Sequence, residues 1–210
     1  MTMRGWLLGS VVVLGIVATP MATGAQEATP ADGDTPAPEE CLAEPFPLAG
    51  FQSLATPGPA STVPTVEGQP TTLPPGSPAD AATVAGITAT IREIMACVNK
   101  GEVLRAFSLY TEGFLRPIFG AGPPASPAFF TTFYNTLSTP QATNPNGYVA
   151  LVEVRDARVL DDGRAAAIVV TDDPANSPTM TTSFLVFVKS GDRWLLDAAI
   201  ELPPAGTPVP

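Results

Sequence analysis

Histidine is absent from this sequence of 210 residues. Imidazole is the side chain that proteins use most often as a general acid or base near neutral pH, and it is the commonest metal ligand. Its absence excludes Ser-His-Asp and Cys-His catalytic sites and the zinc motif HExxH. No glycine-rich phosphate loop follows a predicted strand either. The sequence therefore predicts no metal site and no cofactor.

Basic residues are also scarce, with 10 Lys and Arg against 20 Asp and Glu and a net charge of -10. Residues 26–80 contain eight acidic residues and no basic one, whereas residues 81–210 contain twelve acidic and nine basic residues, a net charge of -3. Nucleic acids and anionic lipids are bound through clusters of Lys and Arg, and the sequence has no such cluster. We expect no nucleic-acid partner and no membrane partner after signal removal.

The first 25 residues have the pattern of a secretory signal. Arg4 supplies the positive charge, WLLGSVVVLGIVA is the apolar stretch, and Ala22 to Ala25 form a small-residue cleavage site. An uncleaved N-terminal anchor is the alternative. The pattern predicts a secreted or extracytoplasmic protein.

Only two cysteines occur, Cys41 and Cys97. Because an exported chain meets an oxidising compartment, we predict that they form a disulfide. Two free thiols are the alternative.

Residues 26–79 are rich in Pro, Ala, Thr and acidic residues, a composition typical of a disordered or extended linker. One apolar island, residues 41–51, interrupts this linker and is apolar enough to lie on a folded domain. The domain itself is predicted over residues 80–202, and residues 203–210 form a predicted disordered tail.

Three helices are predicted before the sheet. The first begins at Ser77 and Pro78, or at Asp80 alone, and ends at Gly101. The second extends from Glu102 to about Thr111, and the third is capped by Ser126 and Pro127.

Four strand-length apolar runs follow between Tyr148 and Leu202, separated by turn signals. The first turn, at 161–163, contains Asp-Gly, the strongest short hairpin signal. The acidic pairs at 161–162 and 172–173 lack the ligand spacing of a calcium loop and are interpreted as solvated turn residues. Within the first run, the apolar residues change from one face of the strand to the other. This change predicts a β-bulge near Arg155 or Asp156.

In the fourth run, alternation places one apolar set on a single buried face: Trp194, Leu196, Ala198, Ile200 and Leu202. The opposite face then carries Asp197 and four apolar residues of the third and fourth runs: Leu185, Phe187, Leu195 and Ala199. Apolar residues on the outer face of a sheet indicate that another segment or another subunit packs on that face. We expect either a homodimer through this face or coverage by residues 41–51.

Two segments resemble the nuclear transport factor 2-like superfamily, including its SnoaL-like polyketide cyclase relatives: IREIMACVNKGEVLRAFSLYTEGFL and the run from Gly191 and Trp194 to Ala198. The resemblance covers about residues 80–202. It implies an α+β, cone-shaped fold of three N-terminal helices packed on a curved antiparallel sheet of about four strands. Such a cone encloses a pocket and often dimerises through the outer sheet face.

Enzymes of that superfamily place Tyr, Asp, Arg or His in the pocket, and the versions that use His cannot be carried over. Asp156 and Asp197 are weak catalytic candidates. Strand parity places Asp197 opposite Trp194, facing away from the cone, and Asp156 points inward only if the bulge directs it there. Pairing of Asp156 with a neighbouring arginine is the alternative.

The expected pocket-lining residues are aromatic: Tyr110, Phe114, Phe130, Tyr134 and Trp194. Tyr110 and Tyr134 could donate a hydrogen bond to a bound carbonyl, but core packing, with the hydroxyl bonded to backbone or water, is the preferred interpretation.

Three functions are compatible with these patterns. The preferred one is an exported, non-catalytic domain that binds a small apolar ligand or a protein partner in a cone-shaped pocket. The second is an isomerase, cyclase or hydrolase that uses a pocket Asp and Tyr. The third is a structural or adhesion module with a filled core.

Overall fold

The computed structural model describes residues 34–54, 59–62, 74–120, 127–141, 148–174 and 180–202. They form an α+β fold in which an open, five-stranded antiparallel sheet packs against helices. The predicted signal segment 1–25, linker residues 26–33, 55–58 and 63–73, the predicted cap residue Ser126 and the predicted tail 203–210 lie outside the described residues.

The sheet is a meander in which each strand pairs with its neighbour in the chain. Its strands are β1 (Gly76–Pro78), β2 (Ala150–Leu160), β3 (Ala165–Asp172), β4 (Thr181–Ser190) and β5 (Arg193–Glu201). Strands β2 to β5 correspond to the four predicted runs.

The additional strand, β1, contains residues that the sequence places at a helix start. Gly76 lies opposite Leu160 at the end of β2, and Pro78 lies opposite Arg158. Proline is tolerated here because β1 is an edge strand, where a missing N–H need not break a ladder. The sheet therefore has five strands rather than about four.

The helices within the described residues are α1 (Leu48–Ser53), α2 (Ala81–Asn99), α3 (Val103–Phe107), α4 (Glu112–Gly120) and α5 (Pro127–Ser138), with a 3-10 turn at Pro38–Glu40. Helix α2 begins after Asp80, whose carboxylate accepts a hydrogen bond from the Thr83 amide at 2.7 Å. Asp80 is therefore the N-cap, and Ser77 is not.

The predicted second helix is interrupted by the edge of the sheet. After α3 the chain passes beside β5, where the Leu196 amide donates to the Leu109 carbonyl at 2.9 Å and the Thr111 amide donates to the Leu196 carbonyl at 2.9 Å. These bonds pair Tyr110 with Leu196 in a short parallel bridge. A continuous helix would need the same backbone groups for its own hydrogen bonds. Helix α3 therefore ends at Phe107, and α4 begins at Glu112.

The bulge predicted in β2 is confirmed. The register with β3 shifts between Arg155 and Arg158, and Asp156 has a φ of 54°, in the left-handed region. The extra residue allows Val154 and Ala157 to pack against the same helix-facing core. The strand bends there, as a bulge requires.

A further bulge lies in β5. Two adjacent residues of β4 pair with Ala198 and Leu196, which leaves Asp197 as the extra residue. Trp194 and Leu196 belong to the helix-facing core, whereas Ala198 belongs to a cluster on the outer face. The prediction that these apolar residues share one face is therefore wrong, because a bulge reverses parity.

The apolar side chains of β4 also lie on the opposite faces of the sheet from those predicted. Phe187 is fully buried in the helix-facing core and Leu185 packs against that core. The outer cluster consists of five buried residues: Leu160, Ala166, Phe184, Val186 and Ala198. Residues 41–51 do not cover this cluster, since Phe46 and Phe51 pack with residues of α4 and α5. The homodimer through the outer face stays a prediction.

Residues 34–54 are attached to the helices by a disulfide and by ion pairs. The predicted bond between Cys41 and Cys97 is confirmed. Arg92 on α2 binds Asp34 at 3.0 Å and Glu40 at 2.8 Å, and this contact with Arg92 holds the pKa of Glu40 below its ordinary value. A disulfide fits an oxidising compartment outside the cytoplasm.

The apolar island forms a second core with α4 and α5. Phe51 is fully buried, and its ring lies 5.0 Å from that of Phe119 and 5.8 Å from that of Phe130, both edge-on. Phe46, Leu54 and Leu115 complete the buried part of this cluster. The island is therefore an integral part of the packed structure.

Helix α2 is the one helix of the described part that is long and apolar enough to cross a membrane. Its apolar residues Ile87 and Ile91 are buried in the helix-facing core, and the Thr90 hydroxyl donates to the Trp194 carbonyl at 2.8 Å. These contacts are those of a core helix.

Candidate functional site

A half-open groove of about 250 Å³ lies between the N-terminal segment, the start of α3 and the end of α5. Its lining consists of eight residues: Pro45, Glu102, Leu104, Arg105, Tyr134, Leu137, Ser138 and Pro140. Proline, leucine and tyrosine side chains supply its apolar walls, and the charged residues are confined to the start of α3.

One wall of the groove depends on Gly101. This residue joins α2 to α3 with a φ of 76°, which favours glycine. Its carbonyl accepts a hydrogen bond from the Gln141 amide at 3.0 Å, and a Cβ at Gly101 would overlap the Gln141 backbone. Only glycine therefore allows the chain after α5, with Pro140, to lie this close to Glu102.

The opposite wall is the N-terminal segment beside α3. The Phe46 amide donates to the Leu104 carbonyl at 2.8 Å, and the guanidinium of Arg105 donates to the Ala43 carbonyl. Together with the disulfide at Cys41, these bonds fix Pro45 in its place.

The polar end of the groove contains one acid and one base, Glu102 and Arg105. Glu102 binds Lys100 through Oε1 at 3.2 Å and the Arg105 Nε through Oε2 at 3.0 Å. Two cations thus surround one carboxylate. Nη2 of Arg105 makes no hydrogen bond to any residue that the structure describes, and the Arg105 side chain is 31% exposed. This nitrogen is available to an acceptor group on a ligand.

Of the five aromatic residues expected to line a pocket, Tyr134 lines this groove. The other four are packed elsewhere. Phe130 is buried in the second core, and Trp194 is buried against Gly86 of α2. The rings of Tyr110 and Phe114 stack on each other at 5.0 Å, between the two cores.

Burial raises the pKa of the Tyr110 hydroxyl from 10.0 to about 12. The stability that comes from keeping this phenol neutral is fully present below about pH 10, the unfolded pKa, and is lost as the pH rises through the folded pKa. In an alkaline titration followed by tyrosinate absorbance, we expect one tyrosine to ionise near pH 12. A Tyr110→Phe variant should lack this component. If the component persists in the variant, the assignment to Tyr110 is wrong.

The two candidate carboxylates have different surroundings. Asp156 is exposed at the β2 bulge and contacts Arg155 at 3.5 Å. Asp197 is largely buried, binds the Arg164 guanidinium at 3.0 Å, and accepts a hydrogen bond from the Thr111 hydroxyl. Among the described residues no hydrogen bond joins either carboxylate to a tyrosine hydroxyl, and no three Cys, Asp or Glu side chains converge as metal ligands.

Most groove residues are not foreseeable from the sequence. Pro45, Arg105 and Pro140 come from three places in the chain that meet only after folding. The alternation of charges at Lys100, Glu102 and Arg105 beside a glycine is the one local signal that could have indicated the polar end.

Comparisons of this chain with models of protein families, with curated proteins and with solved structures find no match.

Proposed function

We propose that this protein is an exported, non-catalytic binding module with a cone-shaped, nuclear transport factor 2-like domain, and that its ligand site is the groove between the N-terminal segment and α5. The disulfide and the signal pattern support export. The groove supports binding because it combines apolar walls with a few polar groups at one end, which is typical of small-molecule sites.

The observation that carries this proposal is the charge distribution in the groove. Arg105 is the cation of the lining and its Nη2 makes no hydrogen bond to a described residue, whereas the acid of the lining, Glu102, already binds Lys100 and Arg105. A ligand with a negative or hydrogen-bond-accepting end would therefore be oriented toward Arg105. Its apolar body would lie against Leu104, Leu137 and the two prolines.

The size of the groove restricts the ligand to a small molecule. Its volume of about 250 Å³ lies just under the range of about 300–1,000 Å³ that is typical of drug-sized ligands. We therefore propose a small amphipathic acid with a ring or short branched body, rather than a long lipid chain.

The enzyme alternative receives less support from the described geometry. Asp197 already binds Arg164 and Thr111, and Asp156 points to an exposed arginine. The hydroxyl of Tyr110 lies in an apolar environment that raises its pKa, so it would be a poor acid near neutral pH.

Native mass spectrometry of the exported protein tests the proposal first, through any small acid that co-purifies. Binding is then measured with anilinonaphthalene sulfonate, whose aromatic body and sulfonate match the two ends of the groove. We expect Leu137→Arg, which fills the groove, to weaken binding of this probe at least about tenfold, or about 1.4 kcal/mol.

The matched control is Asn135→Arg, because Asn135 is an exposed residue of the same helix and does not line the groove. This variant should bind as the unmodified protein does. An uncharged phenylnaphthylamine should bind more weakly than the sulfonate. Equal binding by both arginine variants would show that the probe, and by inference the ligand, does not use the groove.

A further inference from the structure

A second set of polar side chains surrounds Asp197, where β5 meets the start of α4 and the turn between β2 and β3. The β5 bulge presents this carboxylate beside Arg164, whose Nη1 binds Asp197 Oδ2 at 3.0 Å. Arg164 is held by Asp162 as well, at 2.8 Å. The side chains of Asp197 and Arg164 are 14% and 19% exposed, so the pair is largely shielded from water.

This pair holds a short stretch of the predicted linker. The Ser61 hydroxyl donates to Asp197 Oδ1 at 2.6 Å and lies 3.3 Å from the Thr111 hydroxyl. The Ser61 amide donates to the Gly113 carbonyl at 3.1 Å. Arg164 donates to the Thr62 carbonyl at 2.9 Å. Two adjacent linker residues thus receive four directed contacts.

The contact between Ser61 and the start of α4 requires the small size of Gly113. A Cβ at this position of α4 would overlap the Ser61 hydroxyl and approach the Ser61 amide to 3.1 Å. The glycine thereby leaves space for a serine that approaches the helix start closely. Alanine is favoured over glycine within a helix, so a substitution here blocks the contact without weakening α4.

The contact involves little besides these groups. Of the four described residues 59–62, Pro59, Ala60 and Thr62 are exposed and only Ser61 is partly buried. Within residues 59–62 the attachment therefore uses one hydroxyl and two backbone groups, and no apolar side chain of these four residues is buried. Such an attachment can be exchanged without disturbing either core.

We infer that Asp197, Arg164, Thr111 and Gly113 form a docking site for an extended peptide segment with a serine, and that this chain occupies the site with its own Ser61 and Thr62. The two charged side chains supply strong hydrogen bonds in a site largely shielded from water. Because the segment belongs to the same chain, its effective concentration at the site is in the millimolar range. Since the segment is docked, its affinity as a free peptide must correspond to a Kd at or below about 1 mM.

The test uses the full chain in three variants. Ser61→Ala removes the hydroxyl and leaves the site intact, Gly113→Ala blocks the site, and Thr62→Ala is the matched control because only the Thr62 carbonyl is used. The amide at position 61 should lose hydrogen-exchange protection at least about tenfold in the first two variants and change less than about twofold in the third.

A synthetic peptide of residues 57–66, PGPASTVPTV, tests the site in trans. It should bind the Ser61→Ala protein with a Kd at or below about 1 mM and shift the NMR signals of Thr111 and Arg164. A peptide with alanine in place of the serine should not bind, and the Gly113→Ala protein should bind neither. The inference is overturned if the serine is irrelevant to peptide binding, if no binding occurs, or if exchange protection survives in Ser61→Ala.

Discussion

Loss of the Cys41–Cys97 disulfide is expected to lower the free energy of unfolding by about 4 kcal/mol, because the bond closes a loop with a sequence separation of 56. Without the bond, the unfolded chain regains the conformational freedom that the loop removes. Urea unfolding of the oxidised protein, the protein reduced with a phosphine, and a Cys41→Ala and Cys97→Ala double variant would measure the difference.

The reduced protein and the double variant form a matched pair. Both lack the cross-link, but only the variant lacks the sulfur atoms, and Cys97 is fully buried. Similar losses in both would assign the effect to the cross-link. If reduction changes the free energy of unfolding by less than about 1 kcal/mol, the N-terminal segment is held in place by its other contacts alone.

Truncation of Phe51 to alanine is expected to cost about 3–5 kcal/mol, the range for a buried phenylalanine. Phe51 is fully buried and contacts four aromatic rings, those of Phe119, Phe130, Phe133 and Tyr134. The cavity would lie in the second core, where α1, α4 and α5 meet. Chemical unfolding with the disulfide intact provides the measurement.

Leu42→Ala is the matched control, because Leu42 belongs to the same segment and is 75% exposed. Its substitution should change the free energy of unfolding by less than about 0.5 kcal/mol. A small effect of Phe51→Ala, comparable with that of Leu42→Ala, would contradict the view that the island is part of the folded unit.

Local sequence patterns were sufficient to predict the features that depend on neighbouring residues in the chain. Asp-Gly at 162–163 and the turn at 190–192 defined the hairpins of the meander, and the parity change in β2 located the bulge at Asp156. The disulfide followed from the compartment and from the presence of only two cysteines.

Features that depend on contacts between distant parts of the chain could not be predicted from the sequence. The alternation in β5 continues through Asp197 without a break in the sequence, and the bulge is set by pairing with β4 and by contacts to Ser61 and Arg164. The helix predicted from Glu102 ends early because the backbone after it forms hydrogen bonds with β5. No pattern within either segment contains that information.

The candidate site shows the same limit. Tyr134 was selected for its aromatic character, and it lines the groove. Arg105, which supplies the free donor, was not selected, because its environment is created by Ala43 and Glu102, one from a distant segment and one from the preceding turn.

The cross-link between the N-terminal segment and α2 also has a consequence for the timing of activity. Pro45 lies four residues after Cys41 and forms one wall of the groove. Reducing conditions in the cytoplasm keep such cysteines as free thiols. In the proposed binding module, the groove of a newly made chain would thus lack one fixed wall, and formation of the disulfide would complete it.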